Sequence, residues 1–532
     1  MDPTSVRRVH EAVGGQWLPG GEPPAAEVLV VSTDSRAIGA GTLFAALPGT
    51  RVDGRKFIRE AVARGAVAVL AAPGPPEDVQ GLPVLEVPDV LEALERLAAW
   101  VRDSSGAERF AITGTVGKTT VKEFLATLLA RRHAVVRAPK SFNNLLGVSL
   151  TLLQARRDTR FIVCETGASA PGELSRLSRL VRPHRAIVTE IGQAHLAGFG
   201  DLDGVVRAKS EIFEGLLSGG TAFINEGTAG RDRLAAAARS AGGRVVLFGW
   251  DRGDYRVTAC RRLQGAEAGI GSDRVSENLP AAGARRPSGT EEREATCCST
   301  GFLFQVRDPS GREVELTLPV PGRHNVLNAL AAAAAALDTG LAWEEVREGL
   351  RSLRLPPLRM DLRRIAGVTV IDDTYNASIR SVQAALGEAG EIPLPPGGRR
   401  FLVLGDLLEL GGKSAGIHRE IGREVARSGA FAGIISVGAE SRCAAEAASG
   451  EGVSASFRAE SLERVEDVAG RLEGLLEPGD LVLFKASRGI ALDRAAEALR
   501  RLLGARQGPT AEAGGKDTEA GRIGACCSTS II

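Results

Sequence analysis

One stretch limits what this chain can fold into more than any other. In Arg109-Phe-Ala-Ile-Thr-Gly-Thr-Val-Gly-Lys-Thr-Thr120, a β-prone run ends at Thr113 and leads straight into a turn made of Gly114, Thr115, Val116 and Gly117. A helical pattern carrying Phe124, Leu125, Leu128 and Leu129 begins near Thr119. Strand, glycine turn and helix in that order read as a phosphate cradle. Glycines lack a Cβ, so backbone N–H groups can close on phosphate oxygens, and the helix N-terminus adds favourable partial charge. Lys118 supplies a point charge for terminal phosphates, Thr119 offers the hydroxyl that such loops place on Mg²⁺, and Thr120 continues the first helical turn. The spacing is Gly-x-x-Gly-Lys-Thr, because Ile112 stands where the longer loop pattern has its first glycine. An ordinary strand-to-helix turn is the competing reading of the turn alone, and the flanking strand and helix argue against it.

Length and charge bound the rest. A chain of 532 residues corresponds to roughly three domains. With 44% apolar and 25% charged residues it can build large cores, and a net charge of +1 provides no global field to recruit nucleic acid or an acidic membrane. No uninterrupted apolar run reaches transmembrane length, and Arg7, Arg8, His10 and Glu11 occupy the place where a signal peptide needs an apolar core. The expected location is the cytoplasm, without membrane insertion, and the expected state is a monomer. Seven cysteines make no disulfide framework. Cys297-Cys298 and Cys526-Cys527 both occur as Cys-Cys-Ser-Thr, which lacks the usual metal-ligand spacing and reads as free thiols.

The hydrophobic pattern gives an α/β chain. Residues 1–105 form a small α/β unit, with strands at Val28–Ser32 and Val67–Ala71 and a helix over Phe57–Arg64. Asp34, Ser35 and Arg36 follow the first strand, and there they are either a solvated turn or a phosphate contact. From 106 to 318, strands at Phe161–Glu165, Ala186–Thr189, Thr221–Asn225 and Val245–Phe248 alternate with helices, as in a parallel sheet covered on both faces. Glu165 closes one of these strands and His195 follows another, at the carboxyl ends that line a ligand crevice. A carboxylate and an imidazole there suit Mg²⁺ in part, since His is an unusual partner for so hard an ion. Residues 264–300 have few large apolar side chains and are expected to be a disordered insertion, followed by a hairpin turning at Asp308–Gly311. A third unit, 319–505, opens with an alanine-rich helix through Leu337 and carries strands at Val368–Asp372, Phe401–Leu404, Gly433–Val437 and Leu481–Phe484. Polar residues follow each strand, a rim that marks a ligand face. The tail 506–532 is expected to be mobile.

Taken in order, these segments resemble the Mur ligase family over residues 28–500. The resemblance rests on Thr33-Asp-Ser-Arg36, the phosphate loop, Asn143-Asn-Leu-Leu-Gly147, Glu165-Thr-Gly167, Gly192-Gln-Ala-His-Leu196, Ala208-Lys209, Gly322-Arg-His-Asn-Val-Leu-Asn-Ala329, Asp372-Asp-Thr-Tyr-Asn-Ala377, Leu404-Gly-Asp406 and Lys485-Ala-Ser-Arg-Gly489. The Asp-Asp-Thr-Tyr-Asn-Ala and Leu-Gly-Asp-Leu-Leu-Glu-Leu-Gly stretches point to its dipeptide-adding branch.

The resemblance implies a UDP-substrate-binding domain, a central P-loop ATPase domain with a parallel sheet, and a Rossmann-like C-terminal domain that closes over both. It implies ATP and Mg²⁺ as cofactors, with a UDP-N-acetylmuramoyl-peptide and D-alanyl-D-alanine as substrates. Residue by residue, it places Gly114 to Thr120, Asn328, Arg359 and Asp373 around ATP. Thr119, Glu165, His195 and a carbamylated Lys209 fall on Mg²⁺, and Ser35, Arg36, Asn143 and Asn144 on substrate. Lys118, Lys209 and His195 carry catalysis. By spacing alone Lys209 is a surface lysine near Glu211, a reading that the family match reverses. The runner-up activities are a Mur-type ligase for a single amino acid or another dipeptide, and an inactive nucleotide-binding regulator. Three departures from the family pattern are Ser378-Ile379 in place of Asn-Pro, Leu358 in place of a glycine, and Glu190 in place of an asparagine. Deleting 264–300 and 506–532 together should leave turnover within a few-fold, because neither can bury a core. A folded deletion variant that has lost its turnover would contradict this.

Overall fold

The computed structural model describes residues 1–18, 23–49, 52–74, 79, 81–139, 141–192, 196–263, 301–450 and 456–506. The expected insertion, His195 and the tail beyond Arg506 lie outside these residues. Arg506 itself closes the last helix.

The N-terminal domain contains strands β1 (Thr4–Ser5), β2 (Gln16–Trp17), β3 (Glu27–Val28), β4 (Val30–Ser32), β5 (Thr42–Ala46), β6 (Ala66–Ala71) and β7 (Val84–Glu86). Its helices are α1 (Val6–Val13), α2 (Ile58–Ala63) and α3 (Val90–Ser105). Five strands pair in the order β2-β7-β6-β5-β4, parallel except for β2. The single strand expected over Val28–Ser32 is two strands, because Val28 pairs with Thr4 while Val30 pairs with Thr42. Leu29 is the crossover between sheets and is 46% exposed.

The central domain contains β8 (Glu108–Thr113), β9 (Val135–Arg137), β10 (Phe161–Glu165), β11 (Arg185–Val188), β12 (Thr221–Asn225), β13 (Arg244–Trp250), β14 (Tyr255–Leu263), β15 (Gly301–Arg307) and β16 (Glu313–Leu318). Its helices are α4 (Lys118–Leu129), α5 (Leu145–Leu152), α6 (Glu173–Val181), α7 (Leu196–Phe199), α8 (Leu202–Ser210) and α9 (Arg231–Ser240). The nine strands run β16-β15-β14-β13-β12-β11-β8-β10-β9, with antiparallel pairing only at β14-β15-β16. Both faces are buried. Phe110, Ile112, Phe161, Val163 and Ile187 point to one core, while Ala111, Ile162, Cys164, Ala186 and Val188 point to the other, as the two-residue period of a strand requires. The chain runs from β8 out to β9, back to β10, and then to β11 on the other side of β8. Strand order therefore reverses at β8, and the loop after β8 opens at the switch point where parallel sheets hold ligands.

Helices α10 (His324–Leu337) and α11 (Trp343–Arg351) follow the boundary expected at 318/319, yet they pack on the central domain. Ala331 to Ala336 are fully buried in one core with Phe124, Leu125 and Leu128 of α4. Short side chains let the two helices approach closely, which pins the start of α10 beside the phosphate loop. On the opposite face, Ala93, Leu94 and Leu97 of α3 share a core with Val148 of α5 and Leu174 of α6.

The C-terminal domain contains β17 (Asp361–Ile365), β18 (Val368–Asp373), β19 (Arg400–Gly405), β20 (Gly433–Val437), β21 (Arg458–Leu462) and β22 (Leu481–Lys485). Its helices are α12 (Ile379–Glu391), α13 (Ser414–Arg427), α14 (Arg442–Ser449), α15 (Val465–Glu473) and α16 (Asp493–Arg506). The sheet order is β17-β18-β22-β19-β20-β21, parallel except for β17. Cores on both sides of this sheet complete a third α/β layer structure. Among the described residues no helix is long and apolar enough to cross a membrane.

Candidate active site

A cavity of about 1020 Å³ lies where the three domains meet. Leu91 of α3 contributes one wall, the loops after β8 and β10 a second, and α12 with the ends of β18 and β22 a third. The phosphate loop forms its floor. Gly114 has φ 147°, and a Cβ there would stand 2.0 Å from Thr189 Oγ1. Gly117 has φ 87°, and a Cβ there would stand 2.5 Å from Asn328 Oδ1 at the start of α10. Only glycine lets the loop pass this close to both neighbours.

Lys118 folds back over the loop, donating from Nζ to Gly114 O at 2.7 Å and to Thr115 O at 3.1 Å. Burial pulls its pKa down, and the Glu165 carboxylate opposes that shift. Thr119 stands one residue further along, with Oγ1 donating to Glu165 Oε2 at 2.8 Å and lying 2.8 Å from Ser141 Oγ. The other Glu165 oxygen accepts from Asn143 Nδ2 at 3.1 Å. Asn144 does not join Glu165 but caps α5, its Oδ1 accepting from Gly147 N at 2.9 Å. Thr119, Ser141, Asn143 and Glu165 thus gather hydroxyl, amide and carboxylate oxygens in one corner. That donor set suits a hard cation such as Mg²⁺. Among the described residues, no group of three or more His, Cys, Asp or Glu side chains is placed to hold a metal ion.

Lys209 lies near the end of α8 and is 3% exposed. Its Nζ donates to Ala168 O at 3.2 Å and lies 5.6 Å from the Phe199 ring centroid. Burial first, and then the charge of Lys118, bring its pKa down to about 7, against the pull of Glu211 and Glu173. Both of those carboxylates are taken by backbone amides. Glu211 accepts from Gly172 N at 2.9 Å and Ser175 N at 3.1 Å, and Glu173 accepts from Ser169 N at 2.8 Å.

The C-terminal domain reaches into the same corner. Arg359 Nη2 donates to Thr119 Oγ1 at 2.9 Å while its guanidinium lies 4.3 Å from the Tyr375 ring centroid. Asp373 and Lys485 are paired residues on the neighbouring parallel strands β18 and β22, so their side chains meet at 2.8 Å. Lys485 is nearly inaccessible, and burial lowers its pKa against the attraction of Asp373.

Comparison with known proteins fits this arrangement. Three family models match: the Mur ligase family catalytic domain over residues 27–102, the Mur ligase middle domain over 112–336, and the Mur ligase glutamate ligase domain over 358–488. The UDP-N-acetylmuramoyl-tripeptide–D-alanyl-D-alanine ligase of Escherichia coli K12 is 34% identical, covering 88% of this chain and 93% of that protein. The enzyme of the same name from Mycobacterium leprae is 34% identical, with coverages of 93% and 98%. A crystal structure of MurF from Acinetobacter baumannii superposes with a TM-score of 0.78 at 29% identity, covering 94% of this chain and 99% of that one.

The chain belongs to the Mur ligase family.

Within this Mur ligase, the structure brings most of the residues expected from sequence into one cavity. Thr115, Val116, Gly117, Lys118, Thr119, Thr120, Asn143, Asn144, Glu165, Lys209, Asn328, Arg359 and Asp373 all line it. Gly114 lies at the entry to the loop. Ser35 and Arg36 are not among the lining residues. Arg36 grips Asp34 through Nε at 2.9 Å and Nη2 at 2.8 Å, and this hydrogen-bonded fork takes the Asp34 carboxyl down to about 2. Ser141, Arg176 and Arg380 also line the cavity, although no motif singled them out. Ser141 had one available signal, its place two residues before the paired asparagines. The departures have local accounts as well. Leu358 has φ 62°, a left-handed conformation that glycine adopts more easily. Ser378 caps α12 by accepting from Ser381 N, and Glu190 forms an ion pair with Arg380.

The depressed pKa of Lys209 has a stability consequence. Between about 7 and its ordinary value of 10.5, the unfolded chain binds more protons at this site than the folded chain. Stability at the site therefore rises with pH through that window. Lys209→Met should melt higher than the parent at pH 6 in CO₂-free buffer, and its advantage should shrink steadily as pH approaches 10. Parallel melting curves across that range would rule the account out.

Proposed function

We propose that this Mur ligase joins D-alanyl-D-alanine to a UDP-N-acetylmuramoyl-tripeptide at the expense of ATP, as the last cytoplasmic step of peptidoglycan precursor synthesis, and that it does so as a monomer. The observation that carries this reading is the shared cavity, in which a phosphate loop, a buried carboxylate and a buried low-pKa lysine from one domain face Arg359, Asp373 and Lys485 of another. The near full-length similarity to enzymes that bear this name supports the choice of substrates.

A carboxylate at neutral pH is a poor electrophile, so the reaction begins by activating it. One oxygen of the tripeptide's terminal carboxylate attacks the γ-phosphorus of ATP, the bond to the β–γ bridging oxygen breaks, and ADP leaves. The amine of the dipeptide then attacks the acyl carbon of the resulting acyl phosphate. A proton leaves the nitrogen, the carbon–oxygen bond to phosphate breaks, and the products are the amide and inorganic phosphate. Lys118 and Arg359 hold positive charge beside the phosphoryl group as charge spreads onto its oxygens. Asn328, packed against Gly117, keeps the loop in its phosphate-binding shape, and Asp373 orients the nucleotide with Arg359. Thr119, Glu165 and His195 would hold Mg²⁺, which when bound neutralises phosphoryl charge. Asn143 and Asn144, with Ser35 and Arg36 at the UDP end, contact the muramoyl substrate.

Lys209 completes the site as a carbamate. Carbamylation needs a neutral amine, and burial provides one near neutral pH. The adduct replaces a cation that would repel Lys118 and Mg²⁺ with oxygens that suit both.

The test is product mass from purified substrates. D-alanyl-D-alanine should stimulate ADP release and yield the pentapeptide product, Lys118→Ala should lose at least about a hundredfold in rate while staying folded, and acetate or formate should partly restore a nearly inactive Lys209→Ala. Stimulation by a lone amino acid and none by the dipeptide would overturn the assignment.

A further inference from the structure

Helix α12 is where the C-terminal domain meets the central one. Val382, Ala385, Leu386 and Ala389 bury one side of it in the core of its own sheet. Arg380, Ala384, Glu388 and Glu391 recur at helical spacing and share the opposite face. Near its N-terminus Arg380 pairs with Glu190, whose carbonyl accepts from Thr115 N of the phosphate loop at 2.7 Å. At its C-terminus Arg262, from the end of β14, donates through Nη2 to Glu388 Oε2 at 3.0 Å and to Glu391 Oε2 at 2.7 Å, with Nη1 on the other Glu388 oxygen.

The two ends differ in kind. The Arg380 and Glu190 side chains are 56% and 33% exposed, and pairs this wet contribute little on their own. Arg262 and Glu388 are 13% and 3% exposed, and the guanidinium also lies 5.1 Å from the Phe302 ring centroid. Here a planar fork meets a carboxylate away from water, and removing either partner strands a buried charge. Arg262, Glu388 and Glu391 do not line the cavity. Their effect on the reaction therefore runs through domain position and not through ligand contact.

We propose that Arg262, with Glu388 and Glu391, is an interdomain clamp. These are positioning residues that hold α12 on the central domain, so that Arg359 reaches Thr119 and Arg380 reaches Glu190. Without the fork the C-terminal domain spends most of its time displaced, and the nucleotide meets a complete site only in the remaining fraction. The kinetic half of this inference rests on the ligase reading, whereas the conformational half does not.

The experiment uses the full chain with Arg262→Met, and the exchanged pair Arg262→Glu with Glu388→Arg. Small-angle X-ray scattering with and without ATP, melting temperature and steady-state kinetics are read on each. Arg262→Met should scatter with a larger radius of gyration, and its KM for ATP should rise about tenfold as the competent fraction falls to about a tenth, with kcat changed less than about threefold. The exchanged pair should restore both the dimensions and KM. Should Arg262→Met melt below the assay temperature, Arg262→Lys, which keeps the charge but not the fork, is read against the same criteria. Unchanged dimensions and KM, a fall in kcat at unchanged dimensions, or no recovery in a folded exchanged pair would each overturn the clamp. An inactive parent whose dimensions still respond to Arg262→Met would instead count against the ligase reading alone.

Discussion

The hydrogen bond from Thr119 to Glu165 is the contact on which the rest of the site depends. Glu165 ends β10, a strand paired in parallel with β8 so that Glu165 lies opposite Ile112. The loop that leaves β8 returns over the end of β10, and Thr119 closes it onto the carboxylate at 2.8 Å. Glu165 is 1% exposed, and a carboxylate so deeply placed must have its oxygens satisfied. Thr119 and Asn143 take one oxygen each, and the charge of Glu165 partly offsets the loss of solvation at Lys118. The same threonine hydroxyl accepts from Arg359 of the C-terminal domain. One buried carboxylate therefore fixes the phosphate loop, the loop at 141–144 and the docking point of a separate domain.

The elements themselves were largely legible. β10 and β12 begin and end where the apolar runs at Phe161–Glu165 and Thr221–Asn225 begin and end, because strands buried on both faces need continuous apolar sequence. What the pattern could not carry was partnership between distant segments. Nothing in the run Val28–Ser32 marks Leu29 as the point where the chain changes sheets. The alanine-rich α10 reads in sequence as the opening of a third unit, yet its small side chains suit it to lie against α4. Lys209 is the clearest case within the site. Its spacing to Glu211 suggests a surface pair, but Glu211 turns away to satisfy amides at the start of α6. The lysine is left facing Phe199 and the Ala168 carbonyl, and no periodicity argument could see that.

The departures from the family pattern read differently once they have neighbours. Leu358 at φ 62° and Met360 at φ 50° flank Arg359 with two left-handed residues, each at a cost of about 1–2 kcal/mol. The strain sits in a segment held on several sides. Tyr375 N donates to Leu358 O at 3.0 Å, Met360 N donates to Asp373 Oδ1 at 3.2 Å, and Arg359 stacks on Tyr375. A backbone this constrained aims the Arg359 side chain across the domain boundary at Thr119. Leucine can occupy a position that favours glycine because the surrounding bonds over-determine its conformation.

Glu190 and the segment around Ser378 are two separate departures in sequence but one contact in space. Glu190 keeps the backbone duty of its position, since its carbonyl accepts from Thr115 N, a role that any residue type can fill. Its side chain is thereby free to change, and here it meets Arg380, two residues after the serine that caps α12. The two departures thus lie close together, linked through Arg380 across the boundary between the central and C-terminal domains. Lys118, Glu165 and Lys209 do not depend on this pair, since each is held by contacts within the central domain. The C-terminal domain therefore meets the central one at two kinds of contact around the cavity, an exposed ion pair at Glu190 and the Arg359–Thr119 bond on the floor itself.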